Sequence, residues 1–217
     1  ISTTATAPSG FDTALDPAVE SSWQGCVPVV VLNGTDESAD TPDAAYFTRA
    51  TAVFSLGAWL YKAATGNFYM WAKWEPATGA ELREFILYHP TGIAMQIYDE
   101  TANASIGRRY GTALPLNRWV HVVATYSGGT TDGAIKLYQD GVAVDDATDG
   151  AGGAFVTMRD TAALVYIGTG PDTAGTRGNF WNGRIAGGPL GPFFTQKELS
   201  ANEVAALYEL GLGALGL

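Results

Sequence analysis

Two stretches of sequence decide the fold of this chain: Asn117-Arg118-Trp119-Val120-His121-Val122-Val123-Ala124-Thr125-Tyr126 and, after a Gly-rich break, Ile135-Lys136-Leu137-Tyr138-Gln139-Asp140-Gly141-Val142-Ala143-Val144. Both stretches are rich in the β-branched and aromatic residues that strands favour. The dipeptide Asp140-Gly141 tolerates the positive φ angles that a two-residue hairpin turn requires. The pattern therefore predicts an antiparallel meander.

The length and composition suit one large all-β domain. The chain has 217 residues, of which 47% are hydrophobic and 12% aromatic, enough to fill a core between two sheets. Residues 1–10 are small and polar and include Pro8, a composition that buries too little apolar area to order itself. We expect a flexible arm over residues 1–10 and a single domain over residues 11–217.

The charge and the apolar runs of the sequence exclude two classes of partner. The net charge is −10, so a nucleic acid backbone is repelled and no nucleic acid partner is expected. The longest apolar run, Cys26 to Leu32, is far shorter than the roughly 20 residues that cross a bilayer, so no membrane span is expected. Cys26 is the only cysteine, which excludes an intrachain disulfide bond.

Several motifs follow one another in the order of a known family. The opening stretches fit the patterns W-x-H-V and L-Y-x-D-G. Four further segments fit motifs of the same family: Val53 to Tyr61, Ala163 to Gly168, Asn179 to Ile185 and Leu199 to Val204. In this order and spacing the motifs resemble the laminin-G-like domains of the concanavalin A-like lectin and glucanase superfamily. The resemblance implies a two-sheet antiparallel jelly-roll sandwich.

A short C-terminal helix completes this expected all-β fold. Ser200 and Glu203 have the spacing of a capping box at a helix N-terminus. Val204, Leu207 and Tyr208 follow at the i, i+3 and i+4 positions of one helix face. The sequence predicts that this face packs on the sandwich and that Gly211 ends the helix.

The residues typical of catalysis on this fold are missing. Laminarinase-type glucanases carry E-x-D-x-x-E on one strand, whereas here Glu81 and Glu84 have a spacing that puts them on opposite strand faces. Polysaccharide lyases of similar fold carry Q-I-H, but Gln96-Ile97-Tyr98 lacks the histidine. His121 lies within an apolar strand and is interpreted as a core residue, the alternative being a ligand contact. We predict that the chain is not an enzyme.

Aromatic and basic residues give the candidate ligand-binding set. Sugar rings stack on exposed aromatic side chains while amides and arginines satisfy their hydroxyls. Strict alternation along one strand would place three of the candidates on one face as a platform, the alternative being that both faces are buried. The other three candidates are arginines expected in loops. The six residues are Tyr69, Trp71, Lys73, Arg108, Arg109 and Arg177.

A calcium site is the only cofactor that the sequence brings into consideration. The acidic run from Asp145 through Asp146 to Asp149 is followed by Gly150, and Asp36, Asp132 and Asp172 are similar loop acids. The run departs from the EF-hand spacing, and the acid that the family has directly after the equivalent of Ile185 is replaced here by Ala186. These acids are weak calcium candidates, and no zinc site is expected.

Two functions compete at this point. The first is a non-enzymatic, lectin-like binding or adhesion module on an extracellular or particle surface, recognising a glycan or a surface protein. The second is a structural decoration or tail-associated protein of a phage virion, bound to capsid or tail proteins. The segment Ala186 to Leu199 favours the second function, because it resembles phage and marine-bacterial members of the family.

Overall fold

The structure of the protein is a computed structural model. It describes residues 18–23, 27–47, 49–77, 80–89, 91–150, 152–171 and 177–217. The arm expected over residues 1–10 and the candidate acid Asp172 lie outside the described residues.

Two antiparallel sheets form the body of the described chain. In sheet A the strands follow the order β1-β2-β16-β4-β9-β10-β11, and β17 also pairs with β4. These strands are β1 (Ala18–Trp23), β2 (Val27–Asn33), β4 (Phe54–Lys62), β9 (Trp119–Tyr126), β10 (Ile135–Gln139), β11 (Val142–Ala143), β16 (Asn182–Ala186) and β17 (Phe193–Thr195).

Sheet B lies against sheet A, and its strands follow the order β12-β8-β7-β6-β5-β13-β3. The strands are β3 (Ala39–Thr41), β5 (Phe68–Ala77), β6 (Ala80–His89), β7 (Ile93–Asp99), β8 (Ala104–Tyr110), β12 (Ala147–Thr148) and β13 (Val165–Ile167). A separate small ribbon pairs β14 (Gly170–Pro171) with β15 (Arg177–Gly178).

The main core fills the space between the two sheets. Phe54 and Leu56 of sheet A meet Phe85 and Leu87 of sheet B in one buried cluster. This arrangement confirms the predicted all-β fold, a two-sheet jelly-roll sandwich with a short C-terminal helix. In the described part of the chain no helix is long and apolar enough to span a membrane.

The two stretches that predict an antiparallel meander, residues 117–126 and 135–144, form the centre of sheet A. Strand β9 pairs with both β4 and β10, and Asp140 and Gly141 turn the chain into β11 with φ angles of +51° and +79°. Trp119 of β9 and Trp59 of β4 are buried, as their motif positions predict. The sequence from Ala45 to Arg49 also favours a strand, but residues 45–47 form a turn.

The C-terminal helix α1 (Ala201–Leu215) begins as predicted and ends later than predicted. The Ser200 side chain accepts a hydrogen bond from the backbone N–H of Glu203, and the Glu203 side chain accepts one from the N-cap backbone, which completes a capping box. The expected stop at Gly211 is wrong. Gly211 lies inside the helix against Trp59, and Gly216 with a φ of +68° is the left-handed cap.

Candidate functional site

A β-bulge on strand β5 decides which side chains face solvent on sheet B. Tyr69 lies opposite Tyr88, but Trp71 lies opposite Leu87, so Met70 is an extra residue on β5. An extra residue breaks the alternation of side chains between the two faces of a strand. Trp71, only 4% exposed, therefore turns into the main core, while Tyr69 stays on the outer face. The predicted platform with Tyr69 and Trp71 on one face is wrong.

Lys73 is also internal, which corrects its place among the candidate ligand contacts. A second register shift inserts Glu84 into β6, and this carboxylate forms an ion pair with Lys73 inside the protein. Lys73 Nζ lies 3.0 Å from Asp43 Oδ1 and donates to the carbonyl oxygen of Thr161 at 2.8 Å. Both Lys73 and Glu84 are fully buried. The cluster ties sheet B to the segment that precedes β13.

Glu84 is held in this cluster and has no free carboxylate edge toward solvent. It accepts hydrogen bonds from the backbone N–H of Thr161 at 2.8 Å and from the Thr161 hydroxyl at 2.6 Å. Burial raises the pKa of Glu84, and the hydrogen bonds from Lys73 and Thr161 oppose that rise. The side chain of Glu81, its companion in the sequence, lies outside the described residues.

The outer face of sheet B carries a layer of aromatic side chains that we call the outer aromatic face. Tyr69 and Tyr88 are half-buried, with ring centroids 6.0 Å apart, and the others are largely buried. Aromatic rings at this spacing attract one another through their edges and faces. The layer consists of Tyr69, Trp74, Tyr88, Tyr98 and Tyr166.

Two arginines lie on the rings of this face. The guanidinium carbon of Arg83 is 4.4 Å from the ring centroid of Tyr98, and Arg83 Nε donates to Glu100 Oε1 at 2.7 Å. The guanidinium carbon of Arg177 is 5.4 Å from the ring centroid of Tyr166. Arg177 was expected in a loop, but it lies in the short strand β15. Both arginines combine a cation–π contact with hydrogen-bond donors at a solvent boundary.

Asp149 is the polar centre of the same face. Its carboxylate accepts a hydrogen bond from the hydroxyl of Tyr88 at 2.8 Å and one from the Gln96 amide at 3.0 Å. Burial and the neighbouring carboxylate raise the pKa of the Tyr88 hydroxyl, so this group remains a donor at neutral pH. Arg109 Nη1 lies 3.9 Å from the same carboxyl group. These contacts fix the direction of the Tyr88 ring.

A small polar cleft opens where Tyr69 and Tyr88 stand, and we call it the tyrosine cleft. It has a volume of about 110 Å³ and is lined by Asn67, Phe68, Tyr69, Tyr88 and Asn179. Asn179 adopts a left-handed conformation with a φ of +52°, and its carbonyl oxygen accepts from the Tyr69 backbone N–H at 3.1 Å. The cleft thus brings two asparagines next to two tyrosines.

The remaining candidate residues lie apart from the cleft. Arg108 and Arg109 were expected in a loop. They lie on strand β8, which the sequence pattern did not predict. Arg108 forms an ion pair of 3.1 Å with Asp145. Arg109 is half exposed and lies near Asp149 on the outer side of sheet B.

The candidate calcium ligands do not converge. The carboxylates of Asp145 and Asp149 face the partners described above, and Asp146 Oδ2 accepts from the backbone N–H of Gly111 at 3.2 Å. Among the other loop acids, Asp132 accepts from the Gly107 backbone and Asp36 from the Asn33 amide. In the part of the chain that the structure describes, no three acidic, histidine or cysteine side chains are placed to hold a metal ion.

Of the five outer aromatic residues, only Tyr69 was predicted from the sequence as a ligand contact. Tyr88 and Tyr98 alternate with Leu87 and Ile97 on recognised strands, so this spacing was the available signal. Trp74 shares a face with Tyr69 only because the bulge at Met70 lies between them on β5. Nothing local in the sequence indicates this bulge.

Comparison with solved structures finds the same fold in proteins of low sequence identity. The CBM40 of the Ruminococcus gnavus IT-sialidase, bound to α2,3 sialyllactose, gives a TM-score of 0.60 at 15% identity, covering 83% of this chain and 97% of that chain. Domain 4 of AbnA, a GH43 extracellular arabinanase from Geobacillus stearothermophilus, in complex with arabinotriose, gives 0.55 at 16% identity, covering 88% and 81%.

A third neighbour is the native heptameric SAP-like pentraxin from Limulus polyphemus, with a TM-score of 0.54 at 12% identity, covering 84% of this chain and 82% of that chain. A search of curated proteins with the sequence gives no match. The family model described as "Concanavalin A-like lectin/glucanases superfamily" matches residues 33–188, which is most of the sandwich. The chain belongs to the concanavalin A-like lectin/glucanase superfamily.

Proposed function

We propose that the protein is a non-enzymatic glycan-binding module that acts at an extracellular surface. The observation that carries the proposal is the tyrosine cleft, in which Tyr69 and Tyr88 lie beside Asn67 and Asn179. Sugar rings present C–H groups that stack on aromatic faces and hydroxyls that pair with amides. The cleft offers both kinds of group within one small volume, at the end of a longer aromatic layer.

The chemistry of the surrounding face favours binding over catalysis. The carboxylate of Asp149 is occupied by Tyr88 and Gln96, and Glu100 is occupied by Arg83. A glycosidase needs two carboxyl groups that flank the scissile bond, one of them with a raised pKa. Glu84, a carboxyl group of raised pKa, is enclosed in the core with Lys73. In this proposal these carboxylates therefore stabilise the protein and do not act on a bound sugar.

The fold neighbours support a sugar as the ligand. One solved neighbour is bound to α2,3 sialyllactose and another is in complex with arabinotriose. A virion role stays a hypothesis from the sequence alone, because none of the described contacts favours it over glycan binding. We therefore infer a saccharide ligand, with one ring seated between Tyr69 and Asn179 and the chain continuing along the outer aromatic face.

The test begins with a glycan array that includes sialyllactose and arabino-oligosaccharides, followed by calorimetric titration of the best ligand. Tyr69→Ala removes the stacking ring, and Asn179→Gly removes the carboxamide while accepting the left-handed backbone. We expect each variant to bind at least about tenfold more weakly, a loss of roughly 1.4 kcal/mol. Incubation of the wild-type chain with the same glycans should release no product.

Tyr46→Ala is the matched control, because Tyr46 is an exposed tyrosine on the sheet A side, where its hydroxyl donates to the Phe194 carbonyl. This variant should bind the glycan as the wild type does. Binding that survives both Tyr69→Ala and Asn179→Gly in folded protein would place the ligand elsewhere. The absence of binding to every glycan at millimolar concentration would overturn the proposed function.

A further inference from the structure

A second cavity lies between the two sheets at the edge of the sandwich, away from the tyrosine cleft. It has a volume of about 160 Å³ and shares no lining residue with the cleft. Leu32 and Ile185 form its buried floor in sheet A, while Ala39 and Ile167 contribute from sheet B. We call it the inter-sheet cavity.

The lining of the inter-sheet cavity is entirely apolar. The side chains that line it are aliphatic, and Pro192 is among the lining residues. The strands that form its walls pair with each other, with Ile185 opposite Val30 and Ile167 opposite Ala39. Their backbone N–H and C=O groups are therefore directed along the sheets and not into the cavity. A water molecule inside would find no hydrogen-bond partner on these walls.

The size and the chemistry of the cavity together define what fits. A buried water needs two to four polar partners, whereas apolar cavities of about 150 Å³ stay dry and bind molecules such as benzene. Val30, Ala39 and Ile167 are partly exposed at the mouth, so a small molecule has a path to the buried floor. A charged ligand would lose its hydration there without compensation.

We propose that the inter-sheet cavity is a binding site for a small, neutral, apolar ligand, of the size of one benzene ring or a short branched alkyl chain. This site is independent of the proposed glycan binding, because it lies between the sheets and uses only aliphatic side chains. The occupant is a free small molecule, since a volume of about 160 Å³ is too small for a peptide segment or a helix. The protein would then carry two ligand sites of opposite polarity.

Thermal unfolding of the full chain with and without benzene tests the site, with benzoate as the charged probe of the same ring size. At a benzene concentration of roughly ten times Kd, a protein of this length should gain about 3 °C or more in Tm. Benzoate should give no increase. NMR cross-peaks from benzene to the methyl groups of Ile167 and Ile185 should locate the ring, because these residues are absent from the tyrosine cleft.

Ala39→Leu fills the cavity and is the decisive variant. The larger side chain should raise the Tm of the free protein and abolish the benzene shift. Val142→Leu is the control, because Val142 is 64% exposed on strand β11 and adds volume only to solvent. If Ala39→Leu does not fold, Val30→Leu fills the same space from sheet A.

Each possible outcome of these measurements either supports the inter-sheet site or overturns it. A benzene shift that is lost in the filling variant and kept in Val142→Leu supports the site. No shift in the wild type, or an equal shift in a folded filling variant, overturns it. Glycan binding is measured separately and is expected to be unchanged by Ala39→Leu, so failure of this site leaves the tyrosine cleft untouched.

Discussion

The outer faces of the two sheets have similar aromatic composition and different surroundings. On sheet A, Trp59 stacks on Tyr208 of helix α1 with ring centroids 5.5 Å apart and also on His121 at 5.2 Å. On sheet B, arginines lie on the rings of Tyr98 and Tyr166, and Asp149 binds the hydroxyl of Tyr88.

The difference shows that an aromatic layer has a different role when a helix packs on it. Helix α1 turns the face of sheet A into a second small core. On sheet B the rings are bordered by groups that form hydrogen bonds at a solvent boundary. Aromatic content alone therefore does not distinguish a packing face from a binding face, whereas the polar groups beside the rings do.

Truncating one ring on each face tests this comparison most strongly. Trp59→Ala should lower the free energy of unfolding by about 3–5 kcal/mol, because it leaves a cavity beneath α1. Tyr69→Ala should cost about 1 kcal/mol or less, because Tyr69 is half-buried and water can fill the space that its ring leaves. Urea denaturation measures both. Equal losses would mean that the two faces are equivalent packing surfaces.

The contrast between the faces was only partly visible in the sequence. The Asp140-Gly141 turn and the Ser200 capping box follow from local chemistry, and the structure has both. The position of Trp71 does not follow from local chemistry, because the bulge at Met70 depends on the register between β5 and β6. A single extra residue reverses the face of every side chain after it. Fold and helix start were therefore predictable, and the site was not.

Long-range contacts account for the other errors. Gly211 fits the usual signal for a helix end, but its place is set by Trp59, which is far away in the sequence. Lys73 has the spacing of an outward residue, but the bulge at Met70 turns it inward, where Glu84 and the Thr161 carbonyl are its partners. Such partners are known only once the strands are paired. The same reason hid the tyrosine cleft, whose residues come from three separate segments.

The next test is the pH dependence of stability, which should reveal a titrating group on the face of sheet A that α1 covers. Burial between Trp59 and Tyr208 lowers the pKa of His121 to about 4, although the charge of Asp140 opposes the shift. Between pH 6.5 and 4 the unfolded chain therefore binds a proton that the folded chain does not, and stability falls as the pH drops through this window. The full loss should be about 3 kcal/mol.

Denaturation at pH 7 and pH 4.5 checks this, with His121→Phe as the non-titrating variant that retains an aromatic ring. Buried His89, whose pKa is also lowered, titrates in both proteins, so the difference between their pH profiles isolates His121. Identical profiles for wild type and His121→Phe would show that His121 protonates as easily in the folded chain as in the unfolded chain.

Two glycines of helix α1 give the smallest and sharpest test of the covered face. A Cβ atom at residue 211 would overlap the indole ring of Trp59, so Gly211→Ala must push the helix from sheet A. We expect a loss of about 1–3 kcal/mol, the usual cost of overpacking. Near-UV circular dichroism of the tryptophans should change at the same time, because the stacking on Trp59 is disturbed.

Gly213→Ala is the matched substitution two residues later, and it should have the opposite sign. A Cβ atom at residue 213 meets nothing within 4 Å, so the new methyl group enters solvent. Alanine restricts the unfolded chain more than glycine does and should stabilise the helix by roughly 0.5–1 kcal/mol. Chemical denaturation of both variants under one set of conditions gives the signs. Destabilisation by Gly213→Ala would mean that the exposed side of α1 is itself covered in solution. Helix α1 would then not be the outermost layer on sheet A, and the comparison of the two faces would have to include whatever covers it.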